Sequence, residues 1–247
     1  MNKKITLIGR GWLGTPLVAA LKNKGHEVFS TSTESDGSDL QFDITKTPNP
    51  SGLKLNDILI YSIPPLGENE AESFFANIPL EQKIIFISST SIYGKNLGAV
   101  DENFKACLET TGSPVLFKTE EYLKNKFSRL TILRPGGLYG NKRHPAFFLA
   151  GKTGIKTGNE LLHLAHLEDC ISAILKVVEM EVWGEDFNVV SDLRIQKKIY
   201  YQNICQKLGL VPPEYLDTVL TNPTNISNTK IKKRLNINFL NPDDYSL

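Results

Sequence analysis

The sequence predicts an α/β fold: a doubly wound parallel sheet followed by a small, mostly helical C-terminal lobe. Three observations lead there. Short apolar, β-prone runs alternate with helix-period stripes through the first 140 residues, the pattern of a parallel sheet covered on both faces. A Gly9-x-Gly11-x-x-Gly14 turn joins the first run to the first stripe in KITLIGRGWLG. Past residue 140 the alternation loosens, which divides the chain into a sheet domain (1–140) and a reduced lobe (141–247). Strand 187–190 of that lobe is expected to return to the main sheet.

The elements follow in order. Residues 5–8 form a buried strand. Residues 12–24 carry Leu13, Leu17, Ala20 and Leu21 on one helical stripe, with Pro16 tolerated in the first turn and Gly25 placed to end it. EVFST (27–31) reads as the second strand and LQFDI (40–44) as a short third. DILIYSI (57–63) is a fourth, stopped by Pro64 and Pro65, KIIFIS (83–88) a fifth and LTIL (130–133) a sixth. Helices are expected at 68–77 and 114–127, the second with Ser113 as N-cap and Pro114 at its first position. In the lobe, Leu167, Cys170, Ile171, Ile174, Val177 and Val178 make an amphipathic helix whose start suits Glu168 and Asp169. FNVV (187–190) is a strand and 195–208 a helix ended by Gly209; the Asn- and Pro-rich tail 211–247 is expected to wrap loosely.

Composition narrows the class. The chain has 247 residues, 40% hydrophobic and 22% charged, with a formal net charge of +1. No global basic field points to nucleic acid or an anionic membrane, and the Lys230, Lys232, Lys233, Arg234 cluster reads as a solvated helix face. Cys107, Cys170 and Cys205 are odd in number and far apart, which suits a reducing, cytoplasmic setting. The apolar run near the start is too short for a signal peptide, and no segment approaches the roughly 18 apolar residues of a membrane span.

In a doubly wound sheet the ligand crevice lies at the carboxyl ends of the strands. Gly9 permits the tight turn there, Gly11 lets a diphosphate approach the backbone amides, and Gly14 lets the helix pack on the strand. Arg10, Trp12 and Leu13 complete the loop. An NAD site usually carries a carboxylate near the end of the second strand. Here Ser32 and Thr33 hold that turn and Glu34 comes late, which together with Arg10 favours NADP, with NAD as the alternative.

ITLIGRGWLG, Asp43-Ile44, FISSTSIYG (86–94), LRPGGLYG (133–140) and HLED (166–169) follow one another as in extended short-chain dehydrogenase/reductases. Over about residues 4–210 the chain resembles the atypical members termed NAD-dependent epimerase/dehydratase-like, with an NAD(P)-binding Rossmann fold. The resemblance implies that Asp43 and Ile44 touch the adenine, and that Ile63, Pro64 and Pro65 line the cofactor. Pro135 and Gly136 would lie near the nicotinamide, and His166 would open the helix that closes the substrate lobe. Ser89 would hydrogen-bond a substrate carbonyl or alcohol, with Ser91 beside it. A homodimer through helices 68–77 and 114–127 is also implied, as is a small or open substrate site, because 247 residues is short for an extended member.

That family's chemistry also uses a Tyr-x-x-x-Lys pair, in which the tyrosine moves the proton and the lysine lowers its pKa. The expected stretch, about 25 residues after Ser89, reads GSPVLFK: Lys118 is present, but Pro114 stands where the tyrosine belongs. The match Tyr122/Lys126 lies too late and is expected to point away from the crevice. Tyr93, Tyr139, His144 or a water held by Ser91 remain as replacement proton carriers. His163 and His166 lack the further ligands that a zinc site requires. Lys142 and Arg143, in a polar loop over the crevice, could meet a phosphate or carboxylate, but a solvated loop is the favoured reading. Two functions follow. One is an NADP-dependent oxidoreductase, epimerase or dehydratase for a small hydroxylated, carbonyl or nucleotide-sugar-like substrate. The other is a dinucleotide-binding sensor that has lost the chemistry. A methyltransferase fits less well, because it too would want a carboxylate after the second strand.

Overall fold

The computed structural model describes residues 2–34, 37–47, 52–95 and 97–244, apart from the side chains of residues 68 and 69. Ser35 of the second-strand turn and the last three residues of the tail therefore lie outside the described residues. In chain order the elements are β1 (Lys4–Ile8), α1 (Gly14–Asn23), β2 (Glu27–Ser32), β3 (Leu40–Gln41), β4 (Ile58–Tyr61), α2 (Glu68–Ala76) and β5 (Lys83–Ile87). There follow β6 (Ala99–Val100), α3 (Pro114–Lys126), β7 (Leu130–Pro135), β8 (Gly137–Tyr139), α4 (Pro145–Leu149), β9 (Leu164–His166) and α5 (Leu167–Met180). The chain closes with β10 (Asp186–Val189), α6 (Lys197–Lys207), β11 (Asn225–Ile226) and α7 (Thr229–Leu235).

The main sheet is parallel throughout, in the order β10-β7-β5-β4-β1-β2-β3. The chain winds outward from β1 to β3, then crosses back to β4 on the other side of β1. That reversal opens a crevice above the carboxyl ends of β1 and β4, where such sheets bind ligands. The β1 and β4 side chains are buried almost without break, as a sheet covered on both faces requires. One face packs on α1, α5 and α7 through Leu17, Leu21, Ile174, Val178 and Ile231; the other packs on α2 and α3 through Phe74, Phe75, Leu116 and Leu123. A third cluster gathers Tyr139, Leu162, Tyr200 and Ile204.

Three local expectations change. The third strand stops after two residues because the Asp43 carboxylate accepts the Thr45 N–H (3.0 Å) and hydroxyl (2.6 Å), bending the chain into a turn. Ser113 occupies the N-cap of α3 without a capping side-chain bond, and Pro114 at the first position spares one orphan donor. The tail is not loose. Ile231 and Leu235, four apart on α7, are fully buried beside Ile237 in the first core cluster, and β11 pairs with β6. Farther on, the Leu240 N–H reaches the Asp169 carboxylate (3.2 Å), the Tyr139 hydroxyl donates to the Leu240 carbonyl (3.4 Å) and Tyr200 donates to the Pro242 carbonyl (3.1 Å).

Asp169 makes this attachment sensitive to pH. It is 3% exposed, and burial pushes its carboxyl up to about 7, aided by repulsion from Glu168 and Asp192 and opposed by the Leu240 N–H. An unfolded aspartate titrates near 3.9. The folded chain thus holds a proton that the unfolded chain has released between about pH 4 and 7, so this contribution favours folding at the acid end and is lost as the pH rises through that window. Asp169→Asn keeps an acceptor for Leu240 and removes the titration. It is expected to be more stable than the parent at pH 8 by on the order of 2–3 kcal/mol, with the gap closing toward pH 4. Urea midpoints at pH 5 and 8 measure this; a gap that does not change with pH contradicts it.

Candidate functional site

The glycine turn separates two uses of glycine. Gly9 has φ +99°, and a Cβ on it would lie 2.4 Å from the Ile63 side chain and 2.7 Å from the Ser62 carbonyl. A Cβ on Gly14 would lie 2.1 Å from the Gly9 carbonyl oxygen. These two are fixed by the loop's own packing. A Cβ on Gly11, by contrast, would meet nothing within 4 Å, so the loop's own packing does not require glycine there. The loop is tied to β2 by the Arg10 N–H on the Thr31 carbonyl (2.8 Å) and by the Gly9 N–H on the Thr31 hydroxyl (3.4 Å). A cavity of about 400 Å³ runs from Gly9, Arg10 and Gly11 past Ser32, Thr33 and Glu34 to Asp43 and Ile44, with Ile63 and Pro64 on its other wall. The Ser32 hydroxyl accepts the Glu34 N–H (3.2 Å), which fixes the rim. Hydrogen bonds from Thr45 hold the Asp43 carboxyl below the usual carboxylate range. A diphosphate at Gly11, with an adenosine running toward Asp43, fits this cradle.

A second cavity, of about 490 Å³, opens beyond β5 and β7. Ser89, which lines this cavity, caps the 3₁₀ turn Thr90–Ile92: its hydroxyl oxygen accepts the Ser91 N–H (3.1 Å). Gly136 and Gly137 form the adjoining wall, and Ser91 is exposed at the rim. Glu160, also in the lining, bridges Lys95 (2.8 Å) and Lys197 (2.7 Å); burial raises its carboxyl, but the two lysines outweigh that and hold it low. His163 lines the same space, and its Nε2 accepts the Ile226 N–H (3.1 Å), which puts the ring proton on Nδ1. Burial, followed by Arg194 and Lys197, pushes this imidazole down to about 3, so it stays neutral.

Beneath Ser89 lies a buried ionic network. Arg134 on β7 donates to Glu120 through Nε (3.0 Å) and Nη2 (2.5 Å), and to Asp186 through Nη2 (2.7 Å). The Ser88 hydroxyl donates to Glu120 (2.6 Å), and Lys124 completes the charge balance on Asp186 (2.7 Å). The Tyr93 hydroxyl accepts from Arg134 (3.2 Å) and donates to the Asn188 side-chain carbonyl (2.9 Å).

Comparison with known proteins bears on the fold. No protein-family model matches the chain. It is 28% identical over 267 residues to Protein YeeZ of Escherichia coli (strain K12), covering 98% of this chain and 97% of that protein. Among solved structures, a functionally unknown conserved protein from Silicibacter pomeroyi superposes with a TM-score of 0.79 at 20% identity, over 98% of this chain and 95% of the other. UDP-glucuronic acid 4-epimerase from Bacillus cereus, in complex with NAD, superposes at 0.71 with 20% identity, over 96% and 94%. A short-chain dehydrogenase/reductase superfamily protein from Agrobacterium tumefaciens with bound NAD does so at 0.72 with 15% identity, over 98% and 94%. The chain shares the parallel Rossmann-type α/β fold of these structures.

Within that fold the remaining candidates separate. Pro114 occupies the place of the expected tyrosine at the first turn of α3, and Lys118 lies one turn on, half-buried. Lys126 instead donates to the last carbonyls of α2, Phe75 (2.9 Å) and Ala76 (2.8 Å), so the Tyr122/Lys126 match serves as a helix cap away from the crevice. Tyr93 lines the second cavity with its ring, but its hydroxyl is spent on Arg134 and Asn188, and burial raises its pKa. Tyr139 is 1% exposed, with its hydroxyl on the tail. His144 is fully buried. Its Nδ1 caps α4 through the Ala146 N–H (3.1 Å), its Nε2 meets Tyr200 (3.0 Å), and burial pushes it down to about 4. His166 caps α5 by accepting the Glu168 N–H (3.2 Å). Among the described residues no cluster could hold a metal ion, and no helix is long and apolar enough to cross a membrane.

Of the cofactor candidates, Leu13 and Pro135 border a small apolar gap and Gly136 borders the second cavity, while Trp12, Gly14 and Pro65 do not line the first cavity. Sequence reasoning missed Arg134, Glu120, Lys95 and Glu160. A lone arginine inside the apolar run LTILRP was the available sign of a buried partner.

Proposed function

We infer that the chain is an NADP-dependent oxidoreductase or epimerase acting on a small hydroxylated, carbonyl or nucleotide-sugar-like substrate. The observation that carries this reading is a pair of cavities after neighbouring strands of one parallel sheet: one after β1 and β4, lined by Gly11, and one after β5 and β7, lined by Ser89 and Gly136. When bound, the nicotinamide would supply hydride exchange at its C4.

Ser89 would donate to the substrate oxygen and stabilise the charge that grows there. Neutral His163, its proton on Nδ1, would add a second donor without itself ionising, and Glu160 with Lys95 and Lys197 would orient polar groups. The NADP preference rests on Ser32 and Thr33, which tolerate a 2′-phosphate, and on Arg10, which lines the same cavity. The catalytic roles of Ser91, Tyr93, Tyr139 and Lys118 are weaker readings, because the two tyrosine hydroxyls are engaged elsewhere.

The deciding experiment combines calorimetry and turnover. NADP is expected to bind at least tenfold more tightly than NAD, and NADPH to be consumed with some member of a panel of ketones and nucleotide sugars. Ser89→Ala should lower that turnover by about 10²–10³ while leaving NADP affinity unchanged. The engaged tyrosines and the proline in place of the usual proton donor favour one second reading, a dinucleotide sensor. Tight NADP binding with no turnover across the panel, together with a cofactor-dependent change in oligomeric state or partner affinity, selects it instead.

A further inference from the structure

We propose that Arg143 is a phosphate-binding residue that reaches the cofactor's diphosphate from beside Trp12 of the glycine turn. The proposal rests on the dinucleotide reading above and adds a residue that neither the glycine pattern nor the second-strand turn contains.

Arg143 sits on the short turn after β8, more than 120 residues along the chain from the glycine loop, yet its guanidinium carbon lies 5.1 Å from the centre of the Trp12 ring. Trp12 directly follows Gly11, the one loop glycine with open space before it. A guanidinium held over an indole by cation–π attraction still has N–H donors to offer the paired oxygens of a phosphate. Those donors are unspent: Arg143 is exposed, and no carboxylate pairs with it among the described residues.

The backbone is shaped to put the side chain there. Gly140 and Arg143 exchange both backbone hydrogen bonds (2.8 and 3.0 Å), and the two residues between them, Asn141 (φ 45°) and Lys142 (φ 62°), are left-handed. A two-residue reversal of this kind requires that conformation, which lysine adopts at a cost. Strain of this sort persists where the surroundings fix it, often beside a ligand. The base of the turn cannot swing, because His144 is fully buried and bonded through both ring nitrogens, and Pro145 already lines the second cavity.

The distribution of charge favours the same assignment. Arg10 lines the first cavity together with Ser32 and Thr33, where it would serve an adenosine ribose phosphate. The diphosphate would otherwise meet only backbone amides and the start of α1, a helix with no basic residue in its first turn. Arg143 supplies the missing cation.

The test is calorimetric titration of the full chain with ADP-ribose, which carries the diphosphate, and with adenosine, which lacks it. Arg143→Ala is expected to weaken ADP-ribose by about tenfold to a hundredfold, the range for a lost hydrogen bond to a charged group. Adenosine affinity and the melting temperature should stay unchanged. Arg143→Lys should restore part of the loss, and the salt dependence of ADP-ribose binding should flatten in the alanine variant. Parental binding of ADP-ribose with an Arg143→Ala affinity within twofold overturns this assignment alone, as does an equal loss for both ligands. Failure of the parent to bind ADP-ribose overturns the dinucleotide reading as well.

Discussion

Arg134→Met is expected to destabilise the chain by about 3–5 kcal/mol, the typical cost of breaking a buried ion pair by removing one partner. The expectation follows from what the substitution leaves behind. Arg134 and Glu120 each have side chains only 3% exposed, and Arg134 donates to both Glu120 and Asp186. Without the guanidinium, Glu120 keeps only the Ser88 hydroxyl at 2.6 Å and a marginal approach from Lys124 at 3.6 Å. Asp186 keeps Lys124 at 2.7 Å, so the cost falls chiefly on Glu120. The intact pair need not be worth that much against an apolar substitute; desolvation offsets most of its Coulomb attraction. Arg134→Met combined with Glu120→Gln should therefore recover a large part of the loss, because the orphaned charge is gone. Urea midpoints, at unchanged slope, separate the cases. A single variant within about 1 kcal/mol of the parent would mean that water reaches Glu120 and that the network is not sealed.

The contrast between this network and the glycine turn shows which physics a sequence exposes. Gly9, Gly11 and Gly14 act through local geometry between one strand and the next helix, so their spacing is readable. Ser89 is readable for the same reason: its cap on the next residues is a contact two positions away. Arg134 stands 14 positions from Glu120 and 52 from Asp186, and the three meet only when α3, β7 and β10 are stacked. Nothing in their own neighbourhoods specifies the meeting. Tyr93 and Tyr139 both precede glycine, yet their hydroxyls turn to Asn188 and to the tail, and that direction is decided by tertiary partners rather than by pattern.

The tail reads as loose in sequence because it is rich in Asn and Pro, and Lys230, Lys232, Lys233 and Arg234 read as a solvated face. The two positions that bury, Ile231 and Leu235, mark one narrow helical stripe among them. Arg143 belongs to the same class. In sequence it stands in a polar loop; in space it lies on Trp12. The sensitivity of the candidate site to residues outside its motifs follows from this. Arg134 and Glu120 support the turn that carries Ser89, whereas Asp169, Tyr139 and Tyr200 fix the tail against the lobe.

The second large effect should divide the glycine turn in two. In Gly14→Ala the new methyl would stand 2.1 Å from the Gly9 carbonyl oxygen and 3.1 Å from its carbon, both backbone atoms that cannot move without opening the turn. Its expected result is lost stability of about 1–3 kcal/mol or more, the usual range for overpacking, with cofactor affinity falling as a consequence. In Gly11→Ala the methyl meets nothing within 4 Å, so unfolding should shift by no more than about 0.5 kcal/mol, as at an ordinary surface position. The same methyl would occupy the approach of the diphosphate, and an overlap of about 1–3 kcal/mol becomes roughly a fivefold to hundredfold weaker Kd for NADP. Thermal unfolding and NADP titration of both variants test the division. A Gly11→Ala variant that binds NADP like the parent would sink it, because the open space before Gly11 would then hold no part of the cofactor.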